Sequence, residues 1–312
     1  MGDIIWNLIL MAAGFALLIK GSDFVVDGAC GIATKLKIPQ VIIGLTIVAF
    51  GTSAPEAAVS FNSALEGSTD ITVGNILGSN ILNIFIILGA SAIITPLTVN
   101  KNIVKADIPV MIGATLLLFA LGIDGSVSFS DALILLVGLV GYMTYLFMIA
   151  RKNTDEDKIG GIKIMPMWRA VLLTVIGIAG IIFGSELSVD GATKLAMIFG
   201  ISERVIGLTV VALGTSLPEL FTSISAAKKH NADIAIGNVV GSNILNVLFI
   251  VGVSGVIAPV SFVATFMLDM AVVIIASFLI YVMCIFNDKL SKISGIVMLG
   301  SYVVYFLFLL LE

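Results

Sequence analysis

Two glutamates, Glu56 and Glu219, close a segment that the chain writes twice, GLTIVAFGTSAPE at Gly44 to Glu56 and GLTVVALGTSLPE at Gly207 to Glu219. Each follows a proline and a pair of hydroxyl residues, Thr52 and Ser53 in the first copy, Thr215 and Ser216 in the second. A proline removes a backbone N–H and clashes with the preceding turn, so a helix must open at Pro55 and at Pro218. The carbonyls of Gly51 and Gly214 then lose their helical donors, and the neighbouring carbonyls of Ala49 and Ala212 are further candidates for release. Carbonyls, hydroxyls and carboxylates form an all-oxygen set without His or Cys, which suits hard cations such as Ca²⁺, Na⁺ or Mg²⁺ rather than zinc or copper.

A second repeated segment extends that set. GNILGSNILN (Gly74 to Asn83) and GNVVGSNILN (Gly237 to Asn246) place Ser79 and Asn83, and likewise Ser242 and Asn246, four positions apart. Each pair therefore shares one helical face. Asn75, Asn80, Asn238 and Asn243 are read as helix-packing residues, an ordinary use of small amides inside a membrane. The candidate cation ligands are Glu56, Glu219, Thr52, Thr215, Ser53, Ser216, Ser79, Ser242, Asn83, Asn246 and the backbones of Ala49 and Ala212.

The elements that must position these groups lie in a bilayer. Of 312 residues, 59% are hydrophobic and 12% charged, which excludes a soluble domain and a nucleic-acid-binding surface. Mean hydropathy is +1.17. A helix of roughly 20 apolar residues spans the hydrocarbon core, and ten such spans are expected, at 4–28, 39–65, 70–95, 103–122, 129–150, 168–196, 202–227, 233–257, 263–286 and 293–311. A carboxylate at such depth is expensive, and two at matching points of two halves indicate one built site.

The halves superimpose without a gap, residues 21–97 onto 184–260, and from Gly44 to Pro96 about half of the aligned positions are identical. Five helices in each half is an odd number, so the second copy enters the membrane from the opposite face and the repeats are inverted. The expected organisation is a first five-helix repeat at 1–150, a connector at 151–167 and a second, inverted repeat at 168–312, with the site at the repeat interface near mid-membrane. Lys and Arg divide 13 against 2 between the two sets of loops, with Lys20 inside the first span. The positive-inside rule then puts the connector in the cytoplasm and both termini outside. The N-terminus MGDIIWN has no basic n-region of a cleavable signal.

The GTSAPE with GSNILN and GTSLPE with GSNILN arrangement resembles the two alpha repeats of the sodium/calcium exchanger family, within the calcium/cation antiporter superfamily. The resemblance covers essentially the whole chain. It implies an all-α membrane fold and Na⁺/Ca²⁺ antiport by alternating access, with Ca²⁺ and Na⁺ as transported ions and no cofactor. It implies ligand roles for Glu56 and Glu219, for Thr52, Ser53, Thr215, Ser216, Ser79 and Ser242, for the backbones of Ala49 and Ala212, and for the amides of Asn83 and Asn246. It further implies that the first helix of each half, 4–28 and 168–196, slides against a core formed by the other four. Some relatives, including potassium-dependent ones, carry Asp where this chain has Asn246, which disfavours K⁺ co-transport here. Proton/calcium exchangers typically carry a glutamate soon after the Gly-Asn pair, a position filled here by Ile-Leu-Gly-Ser and Val-Val-Gly-Ser.

Rival readings use the same residues less completely. An intramembrane hydrolase needs two acids but not repeated Thr-Ser and Ser-Asn shells, and a passive cation channel does not need two inverted halves. Asp23, Asp27, Glu186 and Asp190 are read as solvated helix-end charges, and Asp107 and Asp269 as interfacial charges at helix starts. Cys30 and Cys284 have no metal-site spacing, and His230 belongs to a basic loop. A prokaryotic-type cell membrane is the expected location. Nothing in the sequence assigns an oligomeric state, and a monomer is compatible with it.

Overall fold

The computed structural model describes residues 2–152, 165–199, 212–263, 265–286 and 288–311. The first half contains α1 (Gly2–Leu36), α2 (Gln40–Thr52), α3 (Ala54–Leu65), α4 (Thr69–Ile94), α5 (Ile103–Gly122) and α6 (Phe129–Lys152). The second contains α7 (Met167–Ile198), α8 (Ala212–Thr215), α9 (Leu217–Lys228), α10 (Ala232–Ile257), α11 (Phe266–Phe286) and α12 (Lys292–Leu311). The protein is an all-helical membrane protein: among the described residues eight helices are long and apolar enough to cross a bilayer, nine when α2 and α3 count as one bent span. The seventh expected span, 202–227, begins outside the described residues, as do Arg204 and most of the 151–167 connector.

Local sequence explains the ends and bends. The first helix runs past the expected residue 28 to Leu36, because GIATKL continues it until Lys37 turns left-handed (φ 55°) ahead of Ile38-Pro39. At Ser53 (φ −79°, ψ 9°) the α2 helix stops, α3 starts with Pro55 in its first turn, and the axis bends by 50°. Ser216 (φ −87°, ψ 1°) and Pro218 make the same break between α8 and α9. Pro is tolerated there because a first-turn N–H has no helical acceptor to lose.

Four two-residue strands tie the halves together. β1 (Leu97–Thr98) pairs antiparallel with β4 (Lys289–Leu290), and β2 (Ser126–Val127) with β3 (Val260–Ser261), so each pairing joins one strand of either half. The most apolar windows of α4 and α10 are 78% buried, against 22% for α1 and 17% for α12. The helices bearing the serine and asparagine candidates are thus the centre of the molecule, and lipid faces the first and last helices. Asp107, expected at the interface, is instead buried at 3% exposure and accepts a hydrogen bond from Tyr142 at 3.1 Å, a partner 35 positions away that sequence spacing does not reveal. Asp269 accepts one from Tyr305 at 2.6 Å.

Without a hydrophobic drive between helices in lipid, association relies on close packing at small residues. The seam between α1 and α7 has this character. Gly14, Gly21 and Gly28 meet Gly184, Gly177 and Ala170 in reverse order, so the two helices are antiparallel with backbones in near contact. A Cβ on Gly177 would lie 2.7 Å from both the Gly21 carbonyl oxygen and the Val25 nitrogen. Gly44 of α2 and Gly237 of α10 likewise bring helices of opposite halves together. Gly177→Val should therefore lower the melting temperature in detergent, at a cost of about 1–3 kcal/mol for overpacking. A variant that melts with the parent would show that the seam is looser than the geometry states.

Candidate functional site

Each broken helix delivers its glutamate to the centre. Glu56 and Glu219 lie in the first turns of α3 and α9, where the helix N-terminus favours negative charge, and each is only 1% exposed. Ser79 donates to Glu56 Oε1 at 2.9 Å, with the Ser216 hydroxyl 3.5 Å from the same oxygen and 2.9 Å from Ser79. Ser53 donates to Glu219 Oε1 at 2.9 Å, with Ser242 at 3.5 Å. Each carboxylate is therefore held by one serine of its own half and one of the other.

The asparagines repeat that symmetry. Asn83 Nδ2 donates to Asn243 Oδ1 at 2.9 Å, and Asn246 Nδ2 to Asn80 Oδ1 at 3.0 Å. Asn80 and Asn243, 163 positions apart, donate to one another's backbone carbonyls at 3.4 Å. Asn75 and Asn238 act as braces. Asn75 bonds the Glu56 carbonyl and Ser60, Asn238 the Glu219 carbonyl and Ser223. Thr52 reaches across to Asn238 Oδ1 at 3.0 Å.

Four oxygens stand apart from this network. Glu56 Oε2, Glu219 Oε2, Asn83 Oδ1 and Asn246 Oδ1 are buried and meet no hydrogen-bond donor among the described residues. Buried acceptors are paired in more than about 90% of cases, so a set of two carboxylate and two amide oxygens needs an explanation. A cation supplies one, because it satisfies acceptors without a proton and offsets the repulsion of two carboxylates. Among the described residues no group of three His, Cys, Asp or Glu gathers anywhere. The acidic groups of the candidate site are therefore the two glutamates, and the serines, threonine and asparagines around them are neutral.

The structure brings together Glu56, Glu219, Ser53, Ser216, Ser79, Ser242, Asn83 and Asn246, with Thr52 beside them. Thr215 ends α8 and Ala212 begins it. Ala49 departs from expectation: its carbonyl accepts the Ser53 N–H at 3.0 Å, with the Thr52 hydroxyl at 3.3 Å, because the turn before Ser53 is still helical. The Gly214 carbonyl receives the Ser185 hydroxyl of α7 at 2.6 Å, whereas Ser22, the matching residue of α1, bonds Ile19 within its own helix at 2.9 Å. Asp23 and Asp27 are not simply solvated. Lys229, at the end of α9, donates to Asp27 at 2.7 Å and to the Asp23 carbonyl at 2.9 Å, and Ser225 donates to the Asp23 carboxylate at 2.6 Å. On the other half Asp190 pairs with Lys194 of its own helix at 3.8 Å, and Glu66 occupies the position that matches Lys229.

A profile of the family described as "Sodium/calcium exchanger protein" matches residues 6–148 and again residues 169–311. The chain belongs to the sodium/calcium exchanger family. Similar proteins include the putative antiporter CaxA of Alkalimonas amylolytica, 37% identical over 307 residues that cover 95% of this chain and 96% of the relative. The sodium/calcium exchanger MaX1 of Methanosarcina acetivorans is 31% identical over 349 residues, 96% of this chain and 97% of the relative. The sodium-calcium exchanger NCX_Mj, in a structure soaked with zero Na⁺ and Ca²⁺, superimposes with a TM-score of 0.86 at 35% identity, covering 98% of this chain and 99% of that one.

Two features of this exchanger-family site escaped sequence reasoning. The cross-links of Asn80 and Asn243 were hidden because an asparagine in a packed helix reads as packing until its partner is known. The π-helical segments Asn83–Leu88 and Asn246–Val251 begin at two of the candidate asparagines, and no residue type announces them. Such segments recur at functional sites; here they start at the two asparagines whose Oδ1 atoms lack donors. In Ca²⁺-free detergent, Glu56→Gln or Glu219→Gln should melt no lower than the parent, since each removes one of two buried like charges. A saturating Ca²⁺ addition should stabilise the parent by about 2.7 kcal/mol at a hundredfold excess over Kd and leave the variants nearly unmoved. Equal stabilisation of a variant in the thermal-shift series would take that glutamate out of the site.

Proposed function

We propose that the chain is a secondary transporter that exchanges Na⁺ for Ca²⁺ across the cell membrane by alternating access, without covalent chemistry or a resident cofactor. The observation that carries this reading is the set of four buried oxygens lacking donors, two from each half. One Ca²⁺ neutralises both glutamates, and Na⁺ ions spread over the same oxygens do so as well, so occupancy by one excludes the other. Mutually exclusive occupancy of a site that opens to one face at a time is sufficient for coupled exchange. The rest of the reading is that residues 1–150 and 168–312 are inverted five-helix repeats, ten crossings in all, joined by a cytoplasmic connector at 151–167, with both termini outside. The antiparallel packing of α1 on α7 supports the inversion, since these helices hold matching places in the two halves.

All the proposed ligands, the Thr52, Ser53, Thr215, Ser216, Ser79 and Ser242 hydroxyls and the Ala49 and Ala212 backbones included, come from one chain, so a monomer suffices. With Asn at both 83 and 246 the site carries two acids, which leaves K⁺ co-transport without a charge to support it. Purified protein in sealed vesicles should take up Ca²⁺ when an outward Na⁺ gradient is imposed. K⁺ or proton gradients alone should drive no uptake. An absolute K⁺ requirement, uptake driven by protons, or Ca²⁺ flux indifferent to Na⁺ would each overturn Na⁺/Ca²⁺ exchange as the activity.

A further inference from the structure

A primary amide presents an oxygen and an NH₂ in nearly the same place, and a half-turn of its last torsion exchanges a cation ligand for a group that repels a cation. Asn83 and Asn246 are enclosed, each with an oxygen that meets no donor among the described residues and an NH₂ that bonds an asparagine of the opposite half. We propose that Asn80 and Asn243 are positioning residues that fix the sense of these two amides and so keep oxygen facing the ion. The inference rests on the ion-site reading above and adds the device that orients two of its neutral ligands.

The argument follows the bonds to a group that cannot turn over. The backbone carbonyl of Asn243 only accepts, so the Asn80 amide directs its Nδ2 there, at 3.4 Å, and its Oδ1 elsewhere. That Oδ1 meets Asn246 at 3.0 Å and obliges Asn246 to offer its Nδ2, which leaves the Asn246 oxygen for the site. The mirror chain runs from the Asn80 carbonyl through the Asn243 amide, at 3.4 Å, to Asn83 at 2.9 Å. Reversing Asn246 alone would set its oxygen against the Asn80 oxygen in a dry interior, acceptor against acceptor. Asn80 is 0% exposed and Asn243 1%, so water does not relieve that contact. Each half thereby orients the ligand of the other.

A double-mutant cycle on the half-saturating Ca²⁺ concentration of Na⁺-driven uptake separates orientation from packing. Asn80→Leu fills similar volume but removes the acceptor, and should raise that concentration about tenfold, the lower end of the range for residues that orient metal ligands. The maximal rate should change less than about twofold. In an Asn246→Asp background the ligand presents an acceptor whichever way it turns, so Asn80→Leu should cost less than about twofold or improve affinity. Equal losses in both backgrounds would mean a packing role and overturn the inference, as would no loss from Asn80→Leu in the parent. Asn243→Leu with Asn83→Asp provides the mirror cycle, and Asn80→Ala and Asn243→Ala replace the leucines if those variants fail to fold. Absence of Na⁺-driven Ca²⁺ uptake by the parent would instead sink the exchange reading and this inference together.

Discussion

Two carboxylates enclosed together in a membrane protein repel each other, and the surrounding structure can be read as what makes that tolerable. Serine hydroxyls from both halves hold one oxygen of each glutamate, the N-terminal turns of α3 and α9 face the charge, and the other two carboxylate oxygens are left for a cation. Neutral amides complete the set, so a divalent ion is balanced without excess negative charge.

The helices are arranged by this constraint. α4 and α10 lie at the centre because they carry the serines and asparagines that address both glutamates, and glycines at the crossing of α2 with α10 let backbone approach backbone. The short strand pairs β1–β4 and β2–β3 repeat the theme outside the site, each joining the halves. Polar residues in the most buried helices are held by hydrogen bonds within their own half, as Thr72 and Asn75 are, and across to the other, as Asn80, Asn83, Asn243 and Asn246 are.

Much of this was legible in the sequence because prolines and carboxylates in apolar spans have few uses. Pro55 and Pro218 fixed the breaks, and the constant offset between the halves paired each candidate with its twin. Contacts between helices were less legible. Asp107 reads as an interfacial charge until Tyr142 is found beside it, and Asp23 and Asp27 as solvated until Lys229 arrives from α9. These are tertiary facts that no local pattern encodes. The Ala49 carbonyl was a further candidate for release, but its helical donor is the Ser53 N–H, which Pro55 leaves in place.

The lysine at the end of α9 has a consequence of its own. A transporter with identical halves would hold its two orientations at equal energy, a degeneracy imposed by symmetry. Lys229 breaks that symmetry, since any motion that parted α1 from α9 would break an ion pair, whereas the matching position on the other half holds Glu66, whose negative charge offers an acid no such partner. An exposed pair contributes at most about 1 kcal/mol, roughly a fivefold tilt of a two-state balance. A tilt of that size, where the transport motion parts these two helices, would give the molecule a preferred face before any ion gradient is applied.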